Sequence, residues 1–233
     1  MNCVFCQNYE ISQLSKGKEI TIEELADIML KQQKKGVENI NLVTPTSYAM
    51  HIIEAIKIAR AKGLHIPIVY NTNGYENVET LRMLEGYIDI YLPDFKYYYN
   101  ELGKRYSNVE NYFEIVTKAI KEMYRQVGIP ELNENGIMQK GLMIRHLILP
   151  NQIENSKQVL KWIKENFDNN IYVSIMAQYF PTFKAKELDE LNRKLTKQEY
   201  DEVENYLYEL VLDNGYIQEL GEHEEEYVPK WNF

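Results

Sequence analysis

Cys3 and Cys6 stand two residues apart in Met1-Asn2-Cys3-Val4-Phe5-Cys6, and they are the only cysteines among 233 residues. Thiolates at this spacing can ligate a metal, hold an iron–sulfur cluster or form a redox dithiol. Two of them alone complete neither a zinc site nor a cubane. Other chemistry-bearing residues fall just after, or inside, short apolar runs: Thr44 and Thr46; Asn71, Thr72 and Asn73; Asp94 and Lys96; Arg145 and His146; and Gln178. Taken singly, each cluster is what ordinary turns contain. Taken together, they suggest one functional rim. Arg145 and His146 interrupt an apolar strand, where an unpaired charge is costly, so they need partners or a polar cavity. Asp94 and Lys96 can pair with each other, hold a cation or bond a ribose. His51, His65 and His223 read as ordinary core or surface histidines.

The elements that must position these residues alternate. Thr21 with Glu24 forms a capping-box pattern that opens a helix, with Ile22, Leu25, Ile28 and Met29 on one face and Gly36 as its stop. Strands are expected at Glu38–Val43, Ile66–Tyr70, Tyr87–Leu92, Gly141–Leu149 and Ile171–Met176. Helices are expected around Ile52–Ala59, from Asn77 to Glu85 and from Ser156 to Phe167. Ser107 with Glu110 reads as the cap of a long helix ending at Gly128, and Ile129–Lys140 as an irregular connection. Thr196 with Glu199 caps a last helix that Gly215 should stop. Tyr97-Tyr98-Tyr99 reads as a surface run of amphipathic rings. Strands separated by helical crossovers imply an α/β fold with parallel strands, a partial (β/α) barrel at this length. In such folds functional groups gather at the carboxyl ends of the strands.

A net charge of −9 argues against a nucleic-acid partner, and 45% apolar residues suffice for one sizeable core. There is no eighteen-residue apolar run and no signal-like start, so a cytoplasmic protein with no membrane partner is expected. One domain is expected over 1–233, with 1–12 a loop around the cysteines and 196–233 a helix and an acidic tail at Glu222-His223-Glu224-Glu225-Glu226.

The run Cys3-Val4-Phe5-Cys6-Gln7-Asn8-Tyr9-Glu10-Ile11-Ser12 resembles the second half of the CxxxCxxC loop of radical S-adenosylmethionine enzymes, in particular proteins related to pyruvate formate-lyase activating enzyme. The resemblance continues through Val43-Thr44-Pro45-Thr46, Tyr70-Asn71-Thr72-Asn73-Gly74-Tyr75-Glu76, Leu92-Pro93-Asp94-Phe95-Lys96-Tyr97, Ile144–Asn151 and Gln178-Tyr179. It implies a [4Fe–4S] cluster with Cys3 and Cys6 as its second and third thiolate ligands and Phe5 beside the adenine of S-adenosylmethionine. Thr44-Pro45-Thr46 takes the place of the glycine-rich segment that meets the cofactor's amino group. Thr72-Asn73 and Asp94-x-Lys96 resemble segments around the cofactor and a monovalent cation, and Arg145 matches a basic residue near the cofactor. The implied activity is reductive cleavage of S-adenosylmethionine to a 5′-deoxyadenosyl radical that abstracts hydrogen from a substrate. The implied partners are a substrate, either a glycyl radical enzyme or another molecule, and a small electron donor such as flavodoxin or ferredoxin. The first cysteine of the loop would fall before Met1, as would the first barrel strand, so a truncated enzyme is expected. The alternative is a decayed, non-catalytic barrel.

Overall fold

A computed structural model describes residues 1–167, 169–212, 214–218 and 220. The acidic run at 222–226, with His223, lies outside the described residues. In chain order the elements are α1 (Tyr9–Ser12), α2 (Ile22–Lys34), β1 (Ile40–Val43), α3 (Ala49–Ala61), β2 (Ile68–Thr72), α4 (Val78–Met83) and β3 (Ile90–Pro93). There follow α5 (Asn100–Ser107), α6 (Tyr112–Val127), β4 (Glu131–Leu132), β5 (Met138–Leu147), α7 (Ile153–Asn166), β6 (Tyr172–Met176), α8 (Lys197–Glu209) and β7 (Gly215–Ile217). The chain divides into two compact units. The first comprises Met1–Lys18, Asp94–Glu114 and the chain from Ile144 onward; the second comprises Glu19–Pro93 and Ile115–Met143.

In the second unit β1, β2, β3 and the start of β5 lie side by side, all parallel, with Ile40 opposite Ile68, Val69 opposite Ile90, and Ile90 opposite Gly141. Parallel neighbours need long return connections, and α3 supplies the first, between β1 and β2. Ile68, Val69 and Tyr70 are consecutive and all buried, as expected of a strand covered on both faces. The capping box of α2 forms as expected: Thr21 Oγ1 accepts from Glu24 N–H at 3.1 Å, and Glu24 Oε2 accepts from Thr21 N–H at 2.8 Å. The buried stripe of α2 is Ala26 and Met29, whereas Ile28 is exposed, one step off the expected face. Along α6, Val116, Ala119, Ile120 and Met123 are fully buried at helical spacing. The expected irregular connection contains a hairpin, β4 pairing antiparallel with β5. Asn133 Oδ1 holds its turn by accepting from the N–H groups of Asn135 and Ile137 at 3.0 and 2.9 Å. Gly141 has φ +119°, and a Cβ there would meet the Ile129 carbonyl oxygen at 2.6 Å, so only glycine fits that approach.

In the first unit β6 and β7 are parallel, with Val173 opposite Gly215. Gly215, expected as a helix stop, instead opens β7: a Cβ there would lie 2.0 Å from the Val173 carbonyl oxygen. Helix α8 begins at its expected Thr196–Glu199 capping box and ends six residues before Gly215, at Glu209. The Ser107 cap is also corrected. Ser107 is the last residue of α5, which is closed by Asn108 in the left-handed region at φ 52°, and α6 starts only at Tyr112. An asparagine tolerates that conformation, so two helices form where one was expected. Tyr97 was expected at the surface and is wholly buried, packed against Tyr106 and Tyr112, whereas Tyr99 is exposed.

Candidate functional site

In the first unit the cysteine loop folds on itself, with Cys6 N–H donating to the Cys3 carbonyl at 3.2 Å. The end of α5 pins it, since Asn2 and Val4 donate to the carbonyls of Ser107 and Tyr106 at 2.9 and 2.8 Å. Ser107 Oγ donates to Cys3 Sγ at 3.0 Å and meets the buried Tyr97 hydroxyl at 2.8 Å. Cys6 Sγ lies 3.3 Å from Ser12 Oγ. Both thiols are free and half-buried. Burial pushes the Cys3 thiol up, and the charge of Lys96 and the Ser107 bond offset part of that rise. Phe5 is buried against the edge of Tyr179, ring centroids 5.9 Å apart.

The loop of the resembling family carries three thiolates, and this chain has two sulfurs to offer from cysteine. Among the described residues no group of three His, Cys, Asp or Glu side chains could hold a metal ion. Cys3 and Cys6 therefore suit two corners of a cubane and do not complete its ligand set.

Asp94 and Phe95 run parallel to Arg145, Phe95 N–H donating to the Arg145 carbonyl at 2.8 Å. This brings three charges together: Arg145 Nη2 lies 2.5 Å from Asp94 Oδ1, and Lys96 Nζ bonds Asp94 Oδ2. Burial alone would raise the Asp94 carboxyl, but the two cations hold it below its usual range. Arg145, read from the sequence as a charge in need of a partner, thus finds one in Asp94, which also pairs with Lys96. His146 points the other way along the strand and is fully buried. Its Nδ1 lies 2.7 Å from the Phe95 carbonyl oxygen and its Nε2 2.9 Å from Ser156 Oγ. Burial brings its pKa down to about 4, so the ring is neutral near pH 7. His146, a candidate cofactor-binding residue expected to need partners or a polar cavity, has both ring nitrogens engaged by the protein itself.

In the second unit Thr44 has φ 53°, a left-handed conformation rare for a β-branched residue, and its N–H donates to the Asn71 carbonyl at 2.8 Å. The backbone thus adopts glycine's geometry at the place where the resemblance expects glycine. Thr46 and Thr72 converge on a residue outside the sequence-based candidates, Glu76: Thr46 Oγ1 donates to Glu76 Oε1 at 2.6 Å, and Thr72 Oγ1 donates to the same oxygen. Asn73 Oδ1 accepts from Tyr75 N–H at 2.9 Å, making the turn that delivers Glu76. Glu76 is 2% exposed, and its Oε2 has no hydrogen-bond partner among the described residues. Burial pushes its carboxyl up, with the two threonine bonds offsetting part of the rise. Tyr70 is fully buried; burial, then the charge of Glu76, raises the pKa of its hydroxyl, and its contact with Thr46 offsets part of the rise.

Sequence reading missed Ser107 and Glu76 as site residues. Ser107 carried a competing helix-cap pattern, and Glu76 stood in a turn-like Asn-Gly-Tyr-Glu run. Its one signal was a carboxylate four residues after Thr72.

Residues 1–163 match the family model of the radical SAM superfamily. An uncharacterized protein of Methanocaldococcus jannaschii is 35% identical over 225 residues, covering 91% of this chain and 61% of the relative, so the chain spans about three-fifths of that protein's length. Among solved structures, Streptococcus suis SuiB bound to its precursor peptide SuiA matches with TM-score 0.63 and 14% identity, over 96% of this chain and 46% of that one. Methylornithine synthase PylB matches at 0.59 and 15%, over 93% and 67%. A domain of a pyruvate-formate lyase-activating enzyme from Bacteroides vulgatus matches at 0.52 and 13%, over 78% and 98%. At these identities the likeness is one of fold, and it is the parallel α/β fold expected, the partial (β/α) barrel. No helix among the described residues is long and apolar enough to cross a membrane.

Proposed function

The chain belongs to the radical SAM superfamily, and we propose that it performs that family's reaction, abstracting hydrogen from a substrate after reductive cleavage of S-adenosylmethionine. A bound [4Fe–4S] cluster would supply the electron for that cleavage. Cys3 and Cys6 contribute two thiolates, and Ser107 orients the first through its hydrogen bond. Phe5, Asp94, Lys96 and Arg145, in the same unit as the cysteines, contribute to holding the cofactor. His146 supports this group from beneath by fixing the Phe95 carbonyl. Within the class, the reading extends to activation of a glycyl radical enzyme, with an electron donor such as flavodoxin or ferredoxin, in the cytoplasm. The observation that supports it most is the pair of free thiols in a loop tied to the end of α5.

The test is anaerobic reconstitution with iron, sulfide and a small-molecule thiol as the third ligand, followed by reduction with S-adenosylmethionine present. The expected result is cubane absorbance and 5′-deoxyadenosine on chromatography, both lost in Cys3→Ser and Cys6→Ser. A wild-type chain that yields neither sinks the enzymatic reading. The second reading, a non-catalytic barrel, would then be favoured.

A further inference from the structure

The two thiols of the cysteine loop are not held alike. On the Cys3 side the end of α5 supplies backbone acceptors and the Ser107 hydroxyl. Cys6 Sγ instead meets Ser12 Oγ, which α1 carries. That helix is a single turn of four residues and buries none of them. A turn so short has no stability of its own, so contacts from outside the loop must fix it if Ser12 and Cys6 are to keep their places.

The segment after β6 supplies such contacts, and it lies beyond residues 1–163, the part that matches the family model. Tyr9, the first residue of α1, stacks on Phe183 with ring centroids 4.7 Å apart and planes 12° from parallel. Two residues on, the buried Ala185 donates its N–H to the Val4 carbonyl at 2.9 Å. Tyr179, whose hydroxyl donates to the Leu191 carbonyl at 2.8 Å, packs on Phe5. One segment therefore reaches Val4, Phe5 and Tyr9. Phe183 itself has φ 50°, a left-handed conformation that is costly for a bulky side chain and persists only where the surroundings over-determine it. The stack on Tyr9 and the Ala185 bond to Val4 are the contacts that do so. Tyr9, Phe183 and both cysteines belong to the same compact unit.

Resting on the reading of Cys3 and Cys6 as a ligand pair, we infer that Phe183 is a positioning residue: by stacking on Tyr9 it fixes α1, and through α1 it holds the Cys6 thiol ready to share one centre with Cys3. The turn closed by Cys6 N–H on the Cys3 carbonyl brings the two backbones together. The stack then removes freedom that the Cys6 side would otherwise lose on two-point capture.

The test uses phenylarsine oxide on the 233-residue chain. This trivalent arsenical condenses with two thiols, forming two As–S bonds and releasing its oxygen as water with the two thiol protons, without redox change and without iron. It should bind one to one, and Cys3→Ser and Cys6→Ser should each abolish that binding. Competition with a free dithiol gives the affinity. Phe183→Leu and Tyr9→Leu should each weaken it by roughly two- to tenfold, the range of a ring–ring contact, whereas Phe183→Tyr, which keeps the stack, should match the wild type. Because both residues act through one contact, the double variant Tyr9→Leu/Phe183→Leu should be no weaker than either single variant. A merely structural role would lower the melting temperature and leave the affinity where it was. Unchanged affinity in the leucine variants, losses that multiply in the double variant, or a wild type without one-to-one binding overturns the role of Phe183. A chain that meets these expectations yet forms no cubane with iron and sulfide loses the enzymatic reading and keeps Phe183 as the residue that positions the pair.

Discussion

Two carboxylates follow two parallel strands, Asp94 after β3 and Glu76 after β2, and their surroundings push them in opposite directions. Asp94 is shared by Lys96 and Arg145 and is held ionised, below the usual carboxylate range. Glu76 accepts hydrogen bonds from two threonine hydroxyls, and burial raises it. Both sit at the end of the sheet where α/β proteins put their chemistry, yet one has its electrostatic need met within the protein and the other does not. A residue already neutralised by its neighbours supports structure at once and function only by rearranging.

The largest expected effect comes from unbalancing the satisfied cluster. Asp94→Asn leaves two partly buried cations sharing no carboxylate and should cost about 3 kcal/mol in urea unfolding at pH 7. A loss under about 1 kcal/mol would mean that Lys96 and Arg145 reach solvent easily and that the contrast is weak. Next, the two carboxylates should show opposite pH dependences. The folded-state pKa of Asp94 is depressed, so its stabilisation is present above the unfolded-state value, near 3.9, and fades as pH falls through the folded value. That of Glu76 is raised, so any stability it contributes is present below about 4.3 and is lost as pH rises through its folded value. The stability of Glu76→Gln relative to wild type should accordingly grow between pH 4.5 and 7, reaching about 1 kcal/mol. A difference independent of pH would show that the carboxyl does not change its charge in that interval. The smallest effect concerns the segment that holds Thr46. Thr44→Gly should stabilise by roughly 0.5 kcal/mol, since relief of the left-handed strain slightly exceeds the added entropy of the unfolded chain. A clear loss would mean that the Thr44 side chain, and not only its backbone, holds the turn.

Much of the fold was legible in the linear chain because local signals and tertiary demands agreed. The capping boxes at Thr21 and Thr196 form as written, and the β-branched run at Ile68–Tyr70 is buried on both faces. Local reading failed where two signals competed. Ser107-x-x-Glu110 satisfies a capping pattern, but the left-handed Asn108 ends one helix there, and the freed Ser107 hydroxyl turns to Cys3. Gly215 looked like a stop because glycine often is one; its actual duty is a close backbone approach to Val173, a long-range contact that no local window contains.

The same division runs through the site. The residue types and their order along the chain determined the α/β class, the strand ends that carry polar groups, the family and the pair of cysteines, all of which depend on short-range patterns. Only the tertiary structure decided which of those groups have partners. Arg145 finds Asp94, His146 spends both nitrogens inside the protein, Ser107 reaches Cys3, and Glu76 is buried with one oxygen engaged by two threonines from different strand ends. Desolvation and charge compensation depend on what surrounds a side chain in three dimensions, and spacing along the chain does not encode that.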